Sequence, residues 1–475
     1  MAPHRISYLL MLILTAVISL FMTSFSSVIV TTIVIGIFFI SIIVMLRGDL
    51  VYFLALSPLL FFWSSEMLSG LFIEHGAFLA ETGYQGTATG GFSRLSFLYI
   101  AYFLIGAIIF SVFPVSGGGK GKRSRFSGLS FELPILGFIA FIVTIAFAFG
   151  AVRGFPLLSG QDRFAFRAES DSNAFISFLS NRIIMFAILG TIFARGTFRR
   201  SAGTVALFLL AVSILFGEKF TSLVQAAIFF LVPFAIHRII KGKGIHIGAI
   251  LMIALVTGLA TVPLILLNYG WLNNSQEAFR RLAERMAVQG QLWFLADQYF
   301  GKIVSFDAAS IKSALEALLS VSEQSPFAAD YSYGMYYVMQ PFLTERELYW
   351  IMFAGGGFVF AHMPYWLMVS GYLGAFAVGL LTFLLYLLNI RRLMSAMARV
   401  DLISIVIWAK VMIWILAGYT LGNFYYFLGY KTIVIAIIGL AWDAVSSRMN
   451  VQARRDHQRV PHPAGVARSN TNLAR

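Results

Sequence analysis

The chain has 475 residues, of which 59% are hydrophobic and only 12% are charged. A soluble domain carries about 25% charged residues, so this composition excludes an ordinary soluble fold. The net charge of +14 would suit nucleic-acid binding, but most lysines and arginines lie in short segments between apolar runs. That pattern is typical of the cytoplasmic side of a membrane protein, so we expect anionic membrane lipid as the neighbour and no nucleic acid.

The apolar runs predict an all-α polytopic membrane protein with about twelve transmembrane helices. No charge occurs between Arg5 and Arg47, and a run of this length predicts a retained helical hairpin that turns at residues 22–27. The lysine and arginine pattern places both termini in the cytoplasm. In chain order the predicted spans are 7–24, 28–46, 51–72, 95–114, 131–151, 182–198, 203–217, 221–237, 246–267, 364–389, 402–420 and 430–446.

Residues 1–447 are thus predicted to form a single membrane domain, and residues 448–475 a basic, disordered cytoplasmic tail. On the outer side, a short loop up to Arg94 carries little chemistry, and a second loop covers residues 152–181. The dominant outer feature is a large, partly helical loop at residues 268–363. Its pattern predicts one helix over 275–295 and a second over 308–320.

Two groups of arginines in these loops suit a phosphate ligand. Arg281 and Arg285 are four residues apart and share one helical face beside Arg280. Arginine binds phosphate oxygens bidentately and keeps its charge, so this face suits a diphosphate, although a solvated helix face explains it equally well. Arg163 and Arg167, with Arg153 upstream, are flanked by aromatic residues and either bind lipid phosphate or anchor the loop at the interface.

Four further residues have chemistry of their own. Glu218 and Lys219 form the short outer turn before the eighth span, where Glu218 is either a general base or an ordinary turn residue. His362 lies where the large loop returns to the membrane and is a candidate proton carrier or a structural residue. Lys410 falls inside the eleventh span, where a charge normally faces a partner or a polar cavity.

Aromatic side chains near the outer surface are candidates for glycan contact, with an interfacial belt as the alternative: Trp293, Tyr336, Tyr337, Tyr425 and Tyr426. The chain has no cysteine, and the histidines lack metal-ligand spacing. We therefore expect no metal site and no cofactor. No nucleotide-binding motif occurs, so any donor substrate must arrive already activated on the outer side, as a lipid diphosphate does.

The span pattern, the late large loop and three local segments resemble Wzy-type O-antigen or oligosaccharide repeat-unit polymerases and, more distantly, O-antigen ligases. The segments are the arginine helix from Arg281 to Trp293, the turn at residues 217–219, and residues 361–367 with Gly371 and Gly374. In the last segment Met363 stands where the family pattern has asparagine.

The resemblance implies a metal-independent C-type membrane glycosyltransferase of the bacterial inner membrane, with its active face in the periplasm. It implies transfer of a glycan from undecaprenyl diphosphate to an incoming lipid-linked repeat unit, and a partner protein that regulates chain length. The arginines and Lys219 or Lys410 would hold the diphosphate, and Glu218 or His362 would deprotonate the acceptor. The alternatives are a ligase-like transferase, a flippase or other transporter of lipid-linked oligosaccharide, and a scaffold in an export complex.

Overall fold

The structure, a computed structural model, describes residues 3–79, 81–112, 129–159, 166, 181–217, 220–242, 245, 266, 275–301, 308–309, 311–312, 316, 334–353 and 359–459. Within these ranges one short antiparallel hairpin, β1 (Phe78–Leu79) with β2 (Tyr84–Gln85), accompanies a helical fold. The helices are α1 (Pro3–Met22), α2 (Val28–Gly48), α3 (Leu50–Glu74), α4 (Gly91–Val112), α5 (Leu129–Arg153), α6 (Pro156–Ser159), α7 (Arg182–Arg195), α8 (Arg199–Leu215), α9 (Phe220–Ile240), α10 (Ser275–Val288), α11 (Gln291–Phe300), α12 (Gly334–Met339), α13 (Glu345–Phe353), α14 (His362–Arg399), α15 (Leu402–Leu421), α16 (Tyr425–Leu428) and α17 (Tyr430–Arg459).

Eight helices in the described part of the chain are long and apolar enough to cross a membrane. This finding confirms an all-α polytopic membrane protein. The helices α1–α5, α7–α9, α14, α15 and α17 coincide in position with eleven of the predicted spans. The remaining predicted span, 246–267, lies outside the described residues apart from Leu266.

The helices of the bundle have two distinct ends. At the basic end, α14 finishes at Arg399, and Asp443 of α17 accepts hydrogen bonds from Arg399 (2.9 Å), Ser404 (2.7 Å) and Trp408 (3.1 Å). Arg195 pairs there with the buried Glu132. At the opposite end, the loop end, α3 finishes at Glu74, and the loop helices α10 and α11 pack on α3 and α4.

Helix α14 consists of two arms that fold against each other. Gly371 has φ 66° and ψ −172°, a conformation that is essentially restricted to glycine. His362 Nε2 lies 3.0 Å from Thr382 Oγ1, although twenty positions would be about 30 Å apart along a continuous helix. The short arm (residues 362–370) therefore runs up to the loop end, and after Gly371 the long arm (residues 372–399) returns beside it. The sequence predicts one simple span over 364–389, and this prediction is wrong for residues 364–370, which form the short arm.

Two other predictions need correction. The helix predicted over 275–295 is two helices, α10 and α11, which meet at Gly290. Ser69 of α3 fixes this corner, because its hydroxyl donates to Ala287 O (2.5 Å) and accepts from Gly290 N (2.8 Å). The tail predicted to be disordered begins as helix, since α17 continues to Arg459, the last residue that the structure describes.

Candidate functional site at the loop end of the bundle

A buried carboxyl group lies within the bundle on α3. Glu66 is 1% exposed and sits about 24 Å along the helix axis from the start of α3. Tyr99 of α4 donates its hydroxyl to Glu66 Oε2 at 2.5 Å, and the Tyr99 ring stacks on Trp63 at 4.4 Å. Glu66 Oε1 is buried and has no hydrogen-bond partner. An acid with a single hydrogen bond at such a position is costly to bury and is a functional candidate.

The short arm brings His362 to the same layer of the bundle. His362 is 1% exposed, and its ring lies 5.2 Å from the ring of Tyr419 on α15. The Tyr419 ring in turn lies 6.4 Å from Trp63, so Glu66 and His362 are linked through contacting aromatic rings. His362 Nδ1 is buried without a hydrogen-bond partner. We call Glu66, Trp63, Tyr99, His362, Tyr419 and Thr382 the polar layer.

The backbone that leads into the short arm is strained. Phe360 has φ 62°, which is rare for a bulky residue, and it is held by contact with Phe62 at 5.5 Å. Ala361 N donates to Thr420 O at 3.2 Å, so the short arm starts against the end of α15. Strain of this kind persists only where the surrounding structure enforces it, and it occurs often at functional sites.

A second charged cluster fastens α11 over the polar layer. Arg94 of α4 donates to both oxygens of Asp297, at 2.9 and 2.5 Å, and to the hydroxyl of Tyr372 at 2.7 Å. Tyr372 also donates to Asp297. Tyr372 directly follows the bend at Gly371, so the cluster joins α4, α11 and the tip of α14. The indole of Trp293 adds a hydrogen bond to Gly91 O at 2.8 Å.

The arginine helix α10 lies on the surface of the loop end. Arg281 and Arg285 have side chains that are 56% and 59% exposed, and they pair with Glu277 (2.9 Å) and Glu81 (3.1 Å). Arg280 pairs with Glu277 and, at 3.5 Å, with Glu284. Hydrogen bonds from Arg280 and then Arg281 lower the pKa of Glu277 to about 2, so the two pairs that Glu277 makes persist at neutral pH and are lost only as the pH falls toward that value. Exposed pairs are weak, about 0–1 kcal/mol, and a stronger anion can replace the carboxylate.

The contacts of α10 with α3 determine where Arg281 and Arg285, the arginine face, lie relative to the polar layer. The corner between α10 and α11 is bonded to Ser69, which is one helical turn from Glu66 on α3. Gln291, the first residue of α11, donates to Glu81 at 2.5 Å, so Glu81 joins the start of α11 to Arg285. The structure therefore brings the predicted arginine helix and the predicted histidine to the same end of the bundle.

Several other predicted site residues are placed elsewhere or lie outside the described residues. Lys410 donates to Asn181 Oδ1 at 3.0 Å and lies 5.3 Å from the Trp414 ring, about 16 Å along α15 below its loop end. Arg153 ends α5 and lies 5.9 Å from the Phe149 ring. Glu218, Lys219, Arg163 and Arg167 lie outside the described residues.

The predicted glycan-binding aromatics divide into two groups. Trp293 is completely buried, so no surface of its indole remains for a sugar, and the structure gives it the hydrogen bond to Gly91 instead. Tyr425 is also buried. Tyr336, Tyr337 and Tyr426 keep partly exposed surfaces: Tyr337 packs on Tyr365 at 5.4 Å, and burial raises the pKa of Tyr336.

Sequence reasoning missed Glu66, Arg94 and Asp297. The signal for two of them was present, because Glu66 is the one charge within residues 50–73 and Asp297 is the one charge in α11. An isolated charge in an apolar helix is a functional or pairing candidate. Arg94 was assigned to the edge of a loop with little chemistry, and its partner is 203 residues away. Among the described residues, no group of three or more His, Asp or Glu side chains is placed to share a metal ion.

Comparison with known proteins gives a match for only part of the chain. Residues 328–436 match the model of a family described as a family of unknown function, DUF6418. The match includes both arms of α14 and all of α15, and therefore His362, Thr382 and Tyr419. No curated protein and no solved structure matches the chain.

Proposed function

We propose that this chain is a metal-independent glycosyltransferase of the bacterial inner membrane, which acts on lipid-linked glycans at its loop end, the periplasmic face. Its reaction is polymerisation of oligosaccharide repeat units, as in the Wzy-type polymerases that it resembles. The observation that carries the proposal is the position of α10. This helix presents Arg281 and Arg285 to solvent on one face, and its end is bonded to α3 one turn from the polar layer.

The arginine face provides the electrostatic part of the reaction. When the bond between the anomeric carbon and the phosphate oxygen breaks, undecaprenyl diphosphate leaves with the electron pair and gains negative charge. Arg281 and Arg285 stabilise that charge, and Glu277 and Glu81 hold the guanidinium groups in place until the diphosphate replaces them. Removal of one charged contact of this kind costs about 1.5–3 kcal/mol, which corresponds to roughly a ten- to hundredfold loss of rate.

Glycosyl transfer requires a base that takes the proton of the acceptor hydroxyl. Of the two predicted bases, His362 is the one that lies within the described part of the chain. Its Nδ1 has no hydrogen-bond partner, and Nε2 is held by Thr382. The acceptor hydroxyl transfers its proton to Nδ1 while its oxygen forms the new bond to the anomeric carbon. Because His362 is buried, the acceptor reaches it only after the short arm or α11 moves. Glu218 is the other predicted base.

The test is polymerisation by the purified protein. The protein is incubated with an undecaprenyl-diphosphate-linked repeat unit in the presence of EDTA and without nucleotide sugar, and the product is read as a ladder on a gel. Arg281→Ala, Arg285→Ala and His362→Gln should lose the ladder. Arg346→Ala, which removes an exposed arginine from α13, should keep it. A ladder from all four variants would contradict the site, and no ladder from the wild type with a matched substrate would contradict polymerisation. Complementation of ligase-null strains separates a ligase from a polymerase.

One observation favours a second function, transport of a lipid-linked oligosaccharide. Transporters often bind substrates where a membrane helix is interrupted, and α14 is interrupted at Gly371 beside buried polar residues. Movement of the lipid-linked sugar across a liposome membrane, without polymer formation, would support this function over glycosyl transfer.

A further inference from the structure

Glu66 lacks any counter-charge within the part of the chain that the structure describes. Its side chain makes a single hydrogen bond, from Tyr99, and no lysine or arginine pairs with it. The other buried acids of the described chain each have an arginine partner or several hydrogen-bond donors: Glu132 pairs with Arg195, Asp297 pairs with Arg94, Glu74 accepts from Thr31 and Phe92 N, and Asp401 accepts from Ser404 N, Trp442 and Ser446. Glu66 is therefore the exception that requires an explanation.

The titratable groups that face Glu66 are few. Tyr99 and Tyr102 come from α4, Tyr419 from α15 and His362 from the short arm. The facing part of the long arm contributes Thr382 and Phe383, which do not titrate. Helices α2 and α9 also pack against α3, but their titratable side chains, Arg47, His237 and Arg238, lie near the basic end. Helices α10 and α11 contact α3 at Ser69 rather than at Glu66. None of these groups supplies a positive charge that pairs with the carboxyl.

The charge of Glu66 and the space around its side chain together indicate which cation can neutralise it. An ionised carboxylate with one hydrogen bond in an apolar interior is unfavourable by several kcal/mol, as the burial of unpaired charge always is. A metal ion or an ammonium group would neutralise it but requires room. The rings around Glu66 are in contact, with Trp63 stacked on Tyr99 at 4.4 Å and tilted on Phe103 at 5.7 Å. A proton is the cation that fits this packing without any displacement of side chains.

We infer that Glu66 is a proton-binding site that is occupied in the packed arrangement, and that loss of this proton is coupled to movement of the short arm. The carboxylate left behind requires water or a new donor. The adjacent element with a hinge is the short arm, which bends at Gly371 and begins at the strained Phe360. It also carries the unpartnered His362 Nδ1. The proton site exists whichever reaction the protein performs, so it goes beyond the proposed glycosyl transfer.

Infrared spectroscopy of the purified, reconstituted protein tests the proton directly. A protonated carboxyl group gives a carbonyl band, separate from that of a carboxylate, that shifts in D₂O. The wild type should show this band at neutral pH, Glu66→Gln should lose it, and Glu74→Gln should keep it, because that substitution leaves Glu66 and its hydrogen bond from Tyr99 in place. Glu66→Gln keeps the acceptor for Tyr99 and should fold. A band that is unchanged in Glu66→Gln would overturn the inference.

Cysteine labelling tests the coupling, and the natural chain has no cysteine to interfere. Val369→Cys places a thiol on the buried side of the short arm, and Leu373→Cys places one at a position that is 81% exposed. The labelling rate of Val369→Cys with a water-soluble maleimide is divided by that of Leu373→Cys, and the Glu66→Gln background corrects for the effect of pH on ionisation of the two thiols. This ratio should rise severalfold as the pH increases, and the rise should disappear when Glu66→Gln is added. A flat ratio, or the same rise with Glu66→Gln, would overturn the coupling.

Discussion

Removal of either partner of the Arg94–Asp297 pair should destabilise the loop end, and the two removals should differ in size. Asp297 has no exposed side-chain surface, whereas 26% of the Arg94 side chain remains exposed. In Arg94→Gln the carboxylate is left buried beside the hydroxyl of Tyr372, and the loss of one partner of a buried pair costs about 3–5 kcal/mol. In Asp297→Asn the guanidinium can reach water, so the cost is about 1.5–3 kcal/mol, the value for lost hydrogen bonds to a charged group.

The double variant should be more stable than Arg94→Gln alone, because it leaves no buried charge. Thermal unfolding in detergent, followed by tryptophan fluorescence, provides the measurement. Trp293 is buried one turn from Asp297 on α11 and reports on this part of the molecule. Tyr372→Phe is the control that removes one hydroxyl and no charge, and it should cost about 1 kcal/mol. All variants are compared at one scan rate, since unfolding of membrane proteins is often irreversible.

Two results would refute this reasoning. The first is an Asp297→Asn variant that unfolds at a lower temperature than Arg94→Gln, because the loss of stability would then not depend on how exposed the remaining charged side chain is. The second is a double variant that is less stable than both single variants, since the two charges would then contribute independently rather than as a pair.

Three other substitutions give separate tests. Gly371→Ala forces a side chain into a conformation reserved for glycine and should lower the stability in thermal unfolding by about 1–3 kcal/mol. The control is Gly137→Ala, which should not lower the stability, because nothing lies within 4 Å of the added carbon. Glu277→Gln releases Arg281 and should strengthen binding of a lipid diphosphate up to about fivefold in a calorimetric titration, and weaker binding would contradict the arginine face. Asp443→Asn weakens the four hydrogen bonds that Asp443 accepts at the basic end and should reduce thermal stability by about 1–3 kcal/mol without a change in lipid diphosphate binding.

Most of the helices could be predicted because a long apolar run has few alternatives in a bilayer. Without water, every backbone group of a membrane span must be bonded within the protein, and a helix achieves this locally. The charge-free run between Arg5 and Arg47 is an example, since α1 and α2 meet at the predicted turn. Helix α10 could be predicted for a similar local reason, namely the spacing of its apolar and charged residues.

The bend of α14 could not be predicted from such local information. Residues on both sides of Gly371 are apolar, so hydropathy is the same whether the chain continues or folds back. The direction is decided by contacts between distant positions, such as His362 with Thr382 and Met363 with Gly379, where an added carbon would lie 2.8 Å from the methionine sulfur. For the same reason Arg94 and Asp297 could not be paired from the sequence, because the pairing depends on how the helices are arranged.

The polar layer combines residues from two distant parts of the chain, and this division limits what a partial family match can mean. The short arm, Thr382 and Tyr419 lie inside the matched residues 328–436, whereas Glu66, Trp63 and Tyr99 lie outside them. A protein that shared only the matched region would align with the short arm but would have no residue aligned with Glu66. If movement of α11 admits the acceptor to His362, Glu66→Gln should abolish the proton-dependent movement of the short arm and leave the reaction intact. If the short arm admits it, the same substitution should impair both, so this single variant separates the two routes.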